Sequence, residues 1–180
     1  MITSIKKIVV LGPESTGKST LCEQLAEHYK TKYCPEYARE YLFKNGTNYS
    51  FDDLLSIAKG QLVKEEEVVQ SAIANRLSLV FIDTDMYVMK VWCEFVFNKC
   101  HPWILKQIAE RKYDLYLLCN PDLPWVKDEL REYPDLATRE RLYRIYKDLM
   151  INQTAPWAGI SGDHEERLLK SIAAVNSFLL

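Results

Sequence analysis

Apolar residues in this chain gather in short unbroken runs, and between the runs they recur every three or four positions. Ile8-Val9-Val10-Leu11 reads as a buried strand over 7–11, and Leu21, Leu25 and Tyr29 follow at the spacing of one helix face, predicting a helix over 18–30. Tyr33-Cys34-Pro35 reads as a short second strand, with a helix over 36–42 and a turn at Asn45-Gly46-Thr47-Asn48. Ser50 is placed to cap a long helix running to Asn75, with Asp52 and Asp53 in its first turn and Leu54, Ile57, Ala58, Leu62 and Val68 on its inner face. Leu77 to Ile82 is a strongly apolar strand that ends in Asp83-Thr84-Asp85. Helices over 86–98 and, from His101-Pro102, to Arg111 precede a strand over 113–119. The loop 120–125 leads into a charged region over 127–148, read as a solvated helical hairpin or an arginine-bearing lid and broken at Pro134. A last strand over 157–161 and a helix opened by Gly162 and Asp163 complete the chain. Five apolar strands alternating with helices predict an α/β fold, a parallel five-stranded sheet with helices on both faces. No repeat or linker divides residues 1–180, so one domain is expected.

Composition narrows the function classes. The net charge of −2 argues against a nucleic-acid partner held by bulk charge. No apolar run reaches the length of a membrane span. Met1 to Lys7 run straight into the first strand, leaving no room for a signal peptide. The five cysteines lack zinc-type spacing and read as reduced thiols of a cytoplasmic protein.

Gly12-Pro13-Glu14-Ser15-Thr16-Gly17-Lys18-Ser19-Thr20 fits G-x-x-x-x-G-K-[ST], the phosphate-binding loop, and lies between a strand and a helix as that motif requires. Gly12 and Gly17 permit a tight turn, and the loop N–H groups at a helix N-terminus form an anion cradle. Ser15 and Thr16 belong to the cradle, Lys18 is expected on the β- and γ-phosphates of ATP, Ser19 on Mg²⁺, and Thr20 in a lesser phosphate contact. Glu14 is the odd member, because a carboxylate repels phosphate, and it is expected to point outward.

Ligands of such sheets bind beyond the carboxyl ends of the strands, which singles out the residues after each one. Asp83 is the expected support for Mg²⁺. Asp85 reads either as a base or substrate ligand, or as a helix cap. Glu36 and Arg39 follow the second strand: a carboxylate there can take the proton of an acceptor hydroxyl and the arginine can hold it or a phosphate, against a plain surface ion pair. Gly60 and Gln61 could line an acceptor pocket, although a lone Gln on a helix is more simply solvated. Trp92, Trp103, Trp125 and Trp157, with Tyr37, Tyr41 and Tyr87, are candidates to stack on a flat ring, most of them more simply core residues, and Tyr37 and Trp125 are the best placed. In the lid reading of the charged region, Asp128 faces substrate and Arg131 and Arg139, with Arg141 nearby, supply positive charge to the moving phosphoryl group. Arg167 is expected to border the adenine.

Together the phosphate loop, Pro35-Glu36-Tyr37-Ala38-Arg39-Glu40-Tyr41, Phe81-Ile82-Asp83-Thr84-Asp85, His101-Pro102 and Pro124-Trp125-Val126-Lys127-Asp128-Glu129-Leu130-Arg131 resemble the ribosylnicotinamide kinase domain of NadR-type proteins. The resemblance spans nearly the whole chain. It implies an adenylate-kinase-like phosphate-loop NTPase with a lid over 125–141, which transfers the γ-phosphate of ATP to the 5′-hydroxyl of nicotinamide riboside. In the bifunctional members an adenylyltransferase domain precedes the kinase; here the loop starts at residue 12, implying neither adenylyltransferase nor repressor activity. Two alternatives stay open: a kinase of another small nucleoside-like substrate, and an ATPase acting on a protein partner. A guanine switch is disfavoured, since Asp83 is not followed by the D-x-x-G pattern and Asn98-Lys99-Cys100-His101 lacks the acid of N-K-x-D.

Overall fold

A computed structural model describes residues 5–179. The signal-peptide reading falls partly on residues 1–4, which lie outside the described residues. The elements are β1 (Lys6–Leu11), α1 (Lys18–His28), β2 (Lys32–Cys34), α2 (Tyr37–Asn45), α3 (Phe51–Ala74), β3 (Leu79–Asp83), α4 (Met86–Phe97), α5 (Pro102–Glu110), β4 (Leu115–Cys119), α6 (Leu136–Asn152), β5 (Trp157–Ile160) and α7 (His164–Leu179). The sheet is five-stranded, ordered β2-β3-β1-β4-β5, and every pairing is parallel.

The central strands are apolar because both their faces are covered. Ile8, Val10, Phe81 and Leu117 face the layer of α1 and α7, packing with Leu21, Leu25 and Val175. Val9, Leu11, Ile82 and Leu118 face the opposite layer, against Val91 of α4 and Leu142, Tyr146 and Met150 of α6. Side chains of this size contribute about 1.5–3 kcal/mol each when fully buried, so the sheet centre is the stable platform. A third cluster fixes α2, α3, α4 and α5 to one another through Leu42, Leu54, Ile57, Met89 and Ile104. No helix among the described residues is long and apolar enough to cross a membrane.

Register brings the strand ends together. Val10 lies opposite Asp83, and Leu11 opposite Leu118. The loop after β1, the acid ending β3 and the turn after β4 therefore emerge at one edge. Gly12 leaves β1 with φ 143°, and a Cβ there would stand 2.6 Å from the Cys119 carbonyl oxygen. Only glycine combines that angle with that closeness.

The segment between β4 and α6 departs from the hairpin expectation. Residues 120–135 carry no regular structure, and a single helix begins at Leu136, capped by Asp135 accepting from the Thr138 N–H at 2.7 Å. Pro121, Pro124 and Pro134 remove N–H donors across this stretch, which prevents a continuous helix there.

Candidate active site

The donor side is the turn from β1 into α1. Gly17 takes the left-handed conformation, φ 77°, and starts the helix without a side-chain cap, so the first N–H groups of α1 face the loop. Thr16 Oγ1 and Lys18 Nζ each donate to the Pro13 carbonyl at 2.8 Å, bending the loop around its own centre. Ser19 Oγ donates to Asp83 Oδ2 at 2.5 Å. The other oxygen, Asp83 Oδ1, is buried and has no hydrogen-bond partner among the described residues. Burial pushes the Asp83 carboxyl upward in pKa, while Lys18 and the Ser19 hydroxyl pull it back. A hydroxyl beside an unpartnered buried carboxylate oxygen is the hard-oxygen donor set a divalent cation such as Mg²⁺ takes.

Arg167, expected on the adenine, is taken up by the protein. Its guanidinium donates to the carbonyls of Gly162 (2.7 Å), Asn120 (2.9 Å) and Thr16 (3.2 Å), and it pairs with Asp122. It is 1% exposed and clamps the phosphate loop to the turns after β4 and β5.

The acceptor side opens from the same loop. A cleft of about 370 Å³ is lined by Gly12–Thr20, by Glu36 and Arg39, and by an aromatic wall of Tyr49, Trp92, Phe95, Tyr133 and Tyr146. Glu36 stands at the N-cap position of α2 yet makes no capping bond, which leaves its carboxylate to the cleft. It keeps some exposure to the cleft but is closely surrounded, and burial together with the charge of Asp83 pushes its pKa up to about 7, against the pull of Lys18 and Arg39. Arg39 lines the cleft and reaches Asp128 at 2.6 Å.

Gln61, expected at a solvated or pocket-lining position, is a buried clasp. Its Oε1 accepts the Tyr37 N–H at 2.7 Å, and its Nε2 points at the carbonyls of Asp83 and Thr84, both at 3.4 Å. The start of α2, and with it Glu36, is thereby tied to the end of β3. Tyr37 does not reach the cleft: its ring covers Gly60, where a Cβ would fall inside the ring atoms. Trp125 and Asp128 also stand outside the cleft lining, as does Asp85. Asp85 is the cap of α4: Oδ1 accepts from Tyr87 N at 3.0 Å and Oδ2 from the Tyr116 hydroxyl at 3.2 Å. It is 1% exposed, and burial pushes its pKa up to about 7. Of its two readings, the geometry matches the cap.

Arg131 lines the cleft, with its guanidinium on the Val126 carbonyl at 2.5 Å. Arg139, in the first turn of α6, is 4% exposed and lies outside that lining, and its guanidinium donates, among the described residues, only to the Leu123 carbonyl at 3.4 Å. Its Nε has no partner among the described residues. Glu14 does not point outward. Its carboxylate accepts the backbone N–H groups of Glu132 and Tyr133 at 3.0 and 2.5 Å.

Of the aromatic wall only Trp92 is among the stacking candidates read from the sequence; Tyr49, Phe95, Tyr133 and Tyr146 are not. The members of the wall come from the 46–50 turn, α4, the irregular segment and α6, and no spacing along the chain connects them.

A parallel sheet ordered 2-3-1-4-5, with a glycine-rich loop after its central strand and an acid closing the neighbouring one, defines a phosphate-loop NTPase with a kinase-type fold. Within that class the chain belongs to the AAA_28 family, described as an AAA domain, whose profile matches residues 7–167. It is 25% identical over 182 residues to the trifunctional NAD biosynthesis/regulator protein NadR of Salmonella typhimurium and 26% identical over 180 residues to that of Escherichia coli. Each comparison covers 97% of this chain and 43% of the relative, so the chain spans less than half the length of those proteins. Among solved structures it is similar to NadR in complex with NR, with a TM-score of 0.81 and 25% identity over 97% of this chain and 50% of that one. NadR in complex with NAD and AMP-PNP superposes at 0.73, with 25% identity over 97% and 49% of the two chains. Thymidylate kinase from Ehrlichia chaffeensis shares the fold at 0.71 and 14% identity, over 96% of this chain and the whole of that one. The resemblance to NadR drawn from the motifs thus holds along nearly the whole chain.

Proposed function

We propose that this chain is an ATP-dependent nucleoside kinase that phosphorylates the 5′-hydroxyl of nicotinamide riboside to nicotinamide mononucleotide. It would act as one catalytic domain with its lid in the irregular segment and first turn of α6. The observation that carries the reading is a single cleft lined by the phosphate loop, the half-buried Glu36 carboxylate and an aromatic wall. The likeness to NadR, solved with NR in one structure and with AMP-PNP in another, supports the choice of substrates. All five cysteines are free and four are buried, which fits a reducing, cytoplasmic setting.

In the proposed mechanism the loop N–H groups and Lys18 hold the β- and γ-phosphates of ATP. Lys18 exchanges its bond to the Pro13 carbonyl for phosphate oxygens. Ser19 and Asp83 would hold Mg²⁺, which when bound offsets charge on the β- and γ-oxygens. The aromatic walls fix the nucleoside and exclude water. Glu36 takes the hydroxyl proton as the new O–P bond forms and the bond to the β-phosphate oxygen breaks, leaving ADP. Arg131 and Arg39 would face the transferring group from the lid and α2, while Arg139 is a buried charge outside the cleft lining.

The test is incubation with MgATP and a nucleoside panel that includes nicotinamide riboside, read by product mass. The expected result is one phosphoryl group added to nicotinamide riboside. Product from a different nucleoside alone would overturn the substrate. ATP hydrolysis with no phosphorylated acceptor would overturn the kinase reading. Lys18→Ala should lower turnover by roughly 100-fold or more.

A further inference from the structure

Two of the four residues in the variable positions of the phosphate loop, Glu14 and Ser15, face the irregular segment after β4. Ser15 adopts φ 55°, a left-handed conformation unusual for a residue with a Cβ, and its Oγ accepts the Val126 N–H at 3.0 Å. Glu14 accepts the N–H groups of Glu132 and Tyr133. The segment from 126 to 133 is therefore pinned at both ends on the loop that cradles phosphate. Between the pins, Asp128 pairs with Arg39 of α2. The far pin continues into the acceptor wall: the Tyr49 hydroxyl donates to the Glu132 carboxylate at 2.9 Å and accepts from Trp92 Nε1 at 2.9 Å.

We propose that Glu14 and Ser15 are latch residues, positioning groups that hold the 126–133 segment on the phosphate loop and couple its closure to nucleotide occupancy. A carboxylate next to an anion cradle opposes phosphate binding by Coulomb repulsion. Two N–H dipoles directed at that carboxylate offset its charge, so the docked segment makes the cradle more favourable to nucleotide. By reciprocity, bound nucleotide favours docking. Release of the segment leaves a bare carboxylate beside the phosphates and speeds the departure of ADP. The coupling rests on the phosphotransfer reading above; the latch itself does not.

The test is backbone amide hydrogen exchange on the full ligand-free chain, with ADP binding measured in parallel on the same variants. Glu14→Ala should speed exchange at Glu132 and Tyr133 by about tenfold or more, as expected for loss of a hydrogen bond to a charged group. Ser15→Ala should speed exchange at Val126 and leave 132 and 133 protected. Glu14→Gln keeps an acceptor oxygen and should restore part of the protection, while removing the repulsion and binding ADP several-fold more tightly. Unchanged exchange at 132 and 133 in Glu14→Ala overturns the latch. ADP affinity in Glu14→Gln equal to or weaker than that of the parent overturns the coupling. If Glu14→Ala also loosens α1, the Glu14→Gln exchange pattern decides: protection at 132 and 133 above that of Glu14→Ala, with tighter ADP, upholds both claims, and protection no greater than in Glu14→Ala overturns the local latch. Failure to phosphorylate any nucleoside, with these exchange results intact, would remove the kinase reading and leave the latch standing.

Discussion

Two acids of the cleft lining, Glu36 and Glu129, carry carboxylates without a hydrogen bond or ion pair among the described residues, and Glu36 is the half-buried one while Glu129 is exposed. As a base Glu36 must be ionised, and its pKa of about 7 puts that transition in the neutral range. In the proposed kinase reaction turnover should therefore rise through about pH 7, and Glu36→Gln should flatten that limb while lowering kcat by roughly 100-fold or more. A pH–rate series on both proteins checks this; a variant with near-parent kcat would remove Glu36 as the base. Gln61 carries a different kind of importance. Gln61→Ala leaves the Tyr37 N–H without its partner, which costs about 1–3 kcal/mol for a buried donor. The expected outcome is a lower Tm together with a raised acceptor KM, since the start of α2 loses its tie to β3. Neither the burial of Gln61 nor its partners could be read along the chain, because those partners lie on β2, α2 and the end of β3, and only the sheet order brings them to one point.

At the scale of elements, local chemistry made α3 readable. Ser50 and Asp53 form a reciprocal capping box at the predicted start, and Asp53 also accepts the Tyr41 hydroxyl at 2.5 Å, tying α2 to α3. The same pair of helices meets at Gly60, where the Tyr37 ring lies against bare backbone. Gly60→Ala should force α2 away from α3 in spite of alanine's better helix propensity, destabilising the fold by about 1–3 kcal/mol as overpacking does. Chemical denaturation measures it; a neutral or stabilising result would mean that α2 relaxes freely and that Glu36 is not rigidly placed. The segment over 120–135 was not readable in this way. Its apolar residues have no period, its prolines break helical runs, and its conformation is set by contacts with the phosphate loop more than a hundred residues earlier. The charge of Arg131 and Arg139 marked the region as a candidate lid, but the direction of each side chain is set by tertiary packing.

At the scale of the whole molecule, the site sets acids close together around an anion cradle, and the ligand-free protein carries the consequence in its pH dependence. Glu36 has an ordinary carboxyl pKa near 4.5 and one of about 7 when folded, so between these values the folded chain holds a proton that the unfolded chain has released. Stability is then highest on the acid side of the window and falls as pH rises through it, levelling above about 7. Asp83 adds a shift of the same sign, and Asp85, at about 7 by burial, adds another that persists in any Glu36 variant. Asp53, held down to about 2 by its Ser50 and Tyr41 bonds, acts in the opposite sense, but its contribution is lost only as pH falls below the ordinary carboxylate range, outside this window. The Tm of the ligand-free parent should accordingly decline from pH 5 to pH 8. Glu36→Gln should decline less and should exceed the parent at pH 8, because a neutral amide relieves the repulsion from Asp83 and Glu14. Thermal melts of both proteins with chelator present measure the difference. Parallel Tm curves would show that Glu36 titrates at its ordinary value and is solvated in the open cleft, which would also remove the reason for a neutral-range limb in turnover.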